Sequence, residues 1–88
     1  MDIREEILDI APDGVLFLET PDFDSAIVGV ASRCGMEDVV AYDMEKIIKI
    51  LMRYMSEPEA VEYYLHNIVG SYVGDKTPVF ITLVEKKG

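Results

Sequence analysis

An α+β fold is predicted by three features of the 88-residue chain: an amphipathic helical stripe after Asp43, a proline-bearing helix start at residues 56–59, and β-branched and aromatic runs flanking that helical pair. The expected architecture is a small, mostly antiparallel sheet of about four strands, with the helical pair of the C-terminal half packed on one face and a short N-terminal helix. The chain has the length of one domain, residues 1–88, and a domain this small buries only about 60 to 65% of the surface its unfolded chain exposes. With 50% hydrophobic residues it has enough apolar side chains for one core.

In chain order, Asp2 followed by Glu5 forms a capping-box variant, and Ile3, Ile7 and Ile10 recur on one helical face, which predicts a helix to about residue 10. Pro12, Asp13 and Gly14 break it, and residues 15–18, VLFL, read as a first strand. Residues 20–24 read as a polar loop. Residues 25–33, SAIVGVASR, read as a strand because Gly29 costs about 1 kcal/mol in a helix interior. A four-residue connection at 34–37 then makes a hairpin with a third strand at 38–42.

Asp43 is placed to cap a helix whose apolar stripe is Met44, Ile47, Ile48, Leu51 and Met55, opposite Glu45, Lys46, Lys49 and Arg53. Ser56, Pro58 and Glu59 then combine an N-cap hydroxyl, a first-turn proline and an N3 glutamate. The buried face expected of this next helix is Ala60, Val61, Leu65, Ile68 and Val69, ending at residues 70–74. Residues 77–84, TPVFITLV, read as the last strand, with Pro78 at its start, and residues 85–88 as a solvated end.

Charge is distributed unevenly. Residues 1–24 hold eight carboxylates against Arg4 alone, so −7 of the net charge of −9 lies in the first quarter. Such a surface repels nucleic acid and anionic lipid and complements a basic protein surface. No basic segment followed by an apolar one opens the sequence, and no apolar run is long enough to span a bilayer, so a cytoplasmic location is expected, without membrane insertion.

The chemistry-bearing residues form no recognisable catalytic set. Glu62 and His66 share a helix face at i, i+4, without a third ligand or a nucleophile beside them. Cys34, the one cysteine, excludes an internal disulfide and reads as a turn residue. Glu19, Asp22 and Asp24 crowd one loop but lack the spacing of a calcium loop. No catalytic residue, cofactor or metal is therefore assigned. The five tyrosines, Tyr42, Tyr54, Tyr63, Tyr64 and Tyr72, lie in or beside the helical pair, and Met52, Tyr54 and Tyr63 fall off its apolar stripes, which predicts an exposed Met and Tyr patch. Asn67, between Leu65 and Ile68, is expected to satisfy backbone groups of the turn near Gly74.

The segments DFDSAIVGV, VVAYDMEKIIKILM, MSEPEAVEYYLHNIVGSYVG and TPVFI, spanning about residues 23–81, resemble a set of short proteins of unknown function from phage, prophage and bacterial genomes. The resemblance rests on caps and turns, so it implies the fold rather than a chemistry.

The function expected is a non-catalytic acidic interaction domain whose partner is a protein with a basic surface and which does not bind nucleic acid directly. Its particular version is a phage-type inhibitor of a host nucleic-acid-handling or defence complex. Partner contacts are assigned to Glu19, Asp22, Asp24, Met52, Tyr54 and Tyr63. The alternatives are a small-ligand-binding domain or minor enzyme, with a pocket between sheet and helices formed by Tyr42, Glu62, His66 and Asn67, and a structural homo-oligomer such as a dimer.

Overall fold

The computed structural model describes residues 2–71 and 74–84. Tyr72 and the tail at 85–88 lie outside them. The fold is α+β, with an N-terminal helix and a three-stranded mixed sheet in the order β1-β2-β3.

Helix α1 spans Ile3–Ile10, capped by Asp2, whose side chain accepts from the Arg4 backbone N–H. Its inward row is Ile3, Ile7 and Ala11 at i, i+4 and i+8, with Ile7 and Ala11 buried. Ile10, assigned to the apolar face, is exposed; it is the last residue of the helix.

Residues 15–18 do not form a strand. They have no ladder partner, while Val15, Phe17 and Leu18 pack against the core. The Leu18 N–H donates to the Tyr42 hydroxyl at 2.9 Å, so a side chain does what a neighbouring strand would have done. The polar loop and the start of the second expected strand are a 3₁₀ helix, Pro21–Ala26. Its three-residue period puts Phe23 and Ala26 on one face, both buried.

Strand β1 (Ile27–Ala31) pairs antiparallel with β2 (Val39–Asp43), Ile27 opposite Tyr42 and Ala31 opposite Val39. The hairpin is as expected, but its connection is longer, residues 32–38, and contains Gly35 at φ 79°, a left-handed conformation that glycine adopts without a Cβ clash. The register shifts between Ile27 and Gly29, so Val28 bulges out and is exposed.

Strand β3 is Val79–Ile81, shorter than the expected 77–84, and it pairs with β2 in parallel, Tyr42 opposite Phe80. The sheet is therefore mixed and three-stranded rather than mostly antiparallel and four-stranded. The physical reason is connectivity: the helical pair lies between β2 and β3 in sequence, and a crossover of that length returns the chain to run alongside β2 in the same direction. Central β2 is buried at four consecutive positions, from Val39 to Tyr42.

Helix α2, Met44–Leu51, is capped by the Asp43 carboxylate, which accepts from Glu45 N–H at 3.0 Å. Helix α3, Glu57–Tyr63, opens with a complete capping box between Ser56 and Glu59 and passes into a π-helical turn, Tyr64–Val69, in which Gly70 N–H reaches back to the Leu65 carbonyl at 3.1 Å. Its buried row is Ala60, Tyr64 and Ile68. Val61, Leu65 and Val69, assigned to the buried face, are exposed. Tyr64 decides the orientation: its ring meets Phe80 edge-on at 5.6 Å, and Phe80 in turn stacks on Tyr42 at 6.0 Å. The core joins Val40 and Tyr42 of the sheet to Ile7, Phe23, Ile47 and Leu51.

Candidate functional site

The acidic first quarter is organised around its single cation. Arg4 grips Asp24 with two parallel hydrogen bonds, Nε to Oδ2 at 2.8 Å and Nη2 to Oδ1 at 3.0 Å, donates to the Leu18 carbonyl at 3.3 Å, and lies 4.6 Å over the Phe17 ring. Asp24 raises the Arg4 pKa above its usual value, chiefly through the side-chain hydrogen bond. This clasp joins α1, residues 17–18 and the 3₁₀ helix. Asp24, assigned to partner binding, is thus already engaged, whereas Glu19 and Asp22 are exposed.

Asp22 faces Tyr54. The Tyr54 hydroxyl donates to Asp22 Oδ2 at 3.5 Å, the long end of hydrogen bonding, from a side chain that is 71% exposed. Tyr54 projects because it sits in the turn after α2, where the N–H groups of Met52, Arg53 and Tyr54 still bond back to the helix carbonyls but no apolar stripe faces the core. Met52 (41%) and Tyr63 (44%) are also exposed, and Tyr63 lines one surface depression with Tyr54.

Two depressions flank α3. The first is an open trough of about 580 Å³, lined by Tyr54, Met55, Glu59 and Tyr63 together with Glu62, His66 and Asn67. Three of the four residues assigned to a ligand pocket, Glu62, His66 and Asn67, therefore come together, but in a trough that takes no residue from the sheet rather than between sheet and helices. Tyr42 does not join them: it is fully buried in the core, its phenol pKa pushed above 10.0 by burial. Asn67, expected to tie down the turn near Gly74, is exposed instead. The Glu59 carboxyl is held below its ordinary pKa by the Ser56 side-chain and backbone hydrogen bonds, which keeps that wall of the trough anionic.

The second depression, about 490 Å³, lies between residues 16–20, the end of α3 with the turn after it, and β3. Leu16, Phe17, Phe23, Ile68 and Phe80 make its apolar walls, and Glu19 and Thr20 stand at one side. Tyr63 and Asn67 line both depressions. Sequence reasoning missed this cleft because three of its walls come from segments far apart in the chain. The one available signal was Phe17 and Phe80, aromatic residues in short apolar runs without an obvious helical partner.

Among the described residues, no three of His, Cys, Asp and Glu converge as metal ligands, and no helix is long and apolar enough to cross a membrane. Cys34 is an exposed free thiol. Comparison with protein-family models, with curated proteins and with solved structures finds no match.

Proposed function

We propose that this chain is a non-catalytic acidic interaction domain that docks on a basic protein surface, as an inhibitor of a nucleic-acid-handling complex of the kind met in phage biology would. The observation that carries the reading is Tyr54: a large aromatic side chain, 71% exposed, is held out beside Asp22 and shares the trough with Tyr63. Aromatic residues and methionine are enriched in the centres of protein interfaces, where they bury large area at small entropic cost. The carboxylates around them supply the charge that steers a basic partner into place and makes binding sensitive to salt.

The test is capture of partner protein from a bacterial lysate at low and high salt by the wild-type chain, by Tyr54→Ala and by the double variant Glu19→Gln, Asp22→Asn. Asp24 is left intact because its loss would break the Arg4 clasp. One set of captured proteins, diminished by salt and by both variants, supports the reading. Capture indifferent to salt and to these substitutions, or no enrichment above a control domain of equal charge, refutes it.

A further inference from the structure

Tyr63 and Asn67 line both the apolar cleft and the acidic trough, so the two open on either side of one pair of side chains. Each has a volume within the range of about 300 to 1,000 Å³ typical of ligand-holding sites. Their chemistries differ. The cleft is walled by Phe17, Phe23 and Phe80; the trough joins two tyrosine rings to two carboxylates, Glu59 and Glu62. Among the described lining residues of both, three are glutamates and none is lysine or arginine.

We propose that the two depressions form one bipartite groove for an extended segment of a basic protein partner, an apolar side chain entering the cleft while a lysine or arginine lies across Tyr54 and Tyr63 beside Glu59 and Glu62. This rests on the interaction reading above and names the surface and the partner segment. Charge complementarity selects the occupant: a second copy of this chain, at net charge −9, would bring carboxylates against carboxylates, and a nucleic acid would bring phosphates. The chain itself displays the recognition chemistry one wall away, where Arg4 combines a carboxylate with the face of Phe17, itself a lining residue of the cleft. A cation over tyrosine with glutamates beside it repeats that pairing between molecules.

The probe is a random-peptide display library panned on the immobilised full chain, followed by fluorescence anisotropy with the recovered peptides. The expected sequences pair a large apolar residue with lysine or arginine a few positions away. Glu62→Lys in the trough and Leu16→Gln in the cleft should each weaken binding by about tenfold, whereas Glu5→Lys, the same charge change on the exposed side of α1, should weaken it by less than about threefold. All three sites are solvent-exposed, and unchanged circular dichroism will show that the variants fold. Recovery of no peptide, of acidic or purely apolar peptides, or equal weakening by Glu62→Lys and Glu5→Lys overturns the groove. If the wild-type chain still captures its partner from lysate in a salt-dependent way and Glu62→Lys and Leu16→Gln do not diminish it, the groove fails while the interaction reading stands. Absent capture by the wild type removes the reading itself.

Discussion

Tyr42→Phe isolates one hydroxyl in the centre of the fold. The ring is fully buried and stacks on Phe80, and phenylalanine keeps that packing. What disappears is the acceptor for the Leu18 N–H, 2.9 Å away, which anchors a segment that has no strand partner. A net hydrogen bond contributes about 0.5 to 1.5 kcal/mol, and a buried donor left unpaired costs about 1 to 3 kcal/mol. Leu18 is half-buried, so water reaches its N–H in part, and the expected loss is about 1.5 kcal/mol. For a domain of this size that lowers Tm by about 6 to 12 °C. Urea and thermal denaturation measure the loss, and amide exchange places it: Leu18 N–H should exchange faster while the amides of β2 keep their relative protection. A loss under about 0.3 kcal/mol with unchanged Leu18 exchange would refute the tether.

Three further outcomes follow from the same contacts. Arg4→Lys keeps the charge but loses the two-pronged grip on Asp24 and should cost about 1 kcal/mol by urea denaturation, a value discounted because both side chains are partly exposed, and the cost should shrink at high salt. Burial raises the phenol pKa of Tyr42 and of Tyr64 above 10.0, so the native state holds protons that the unfolded state releases; stability should be independent of these groups below about pH 9, fall as pH rises through 10 and beyond, and fall less steeply in Tyr42→Phe, as thermal melts across that range will show. Ile47→Ala empties a fully buried position of α2 and should cost about 3 kcal/mol in urea denaturation, against less than about 0.5 kcal/mol for Lys46→Ala on the exposed side.

Local signals carried much of the fold. Asp2, Asp43 and Ser56 each cap the helix expected of them, because a cap is a contact between residues two or three positions apart and needs no tertiary partner. The hairpin was legible for a similar reason: its strands are neighbours in sequence, and Gly35 lies in the connection. The candidate site was partly legible. The i, i+4 spacing of Glu62 and His66 placed them on one face, and Met52, Tyr54 and Tyr63 are exposed as their positions off the apolar stripes require. The partner of Arg4 was not legible. A lone cation among eight carboxylates has many partners within reach, and the fold settles it on Asp24.

By itself, then, the sequence determined the α+β class, the helix starts, the hairpin and the net acidic charge, all of them properties of short windows or of composition. Tertiary structure alone decided that residues 15–18 are tethered by a tyrosine hydroxyl instead of paired, that β3 runs parallel to β2, and that α3 turns Tyr64 inward and leaves Val61, Leu65 and Val69 outside. Each of those outcomes depends on a contact between residues far apart in the chain: Leu18 with Tyr42, Tyr42 with Phe80, and Phe80 with Tyr64. A short apolar run has the same local preferences whether or not a neighbouring strand is present to pair with it. Which of its possible partners it meets is fixed when the core closes around those three aromatic rings.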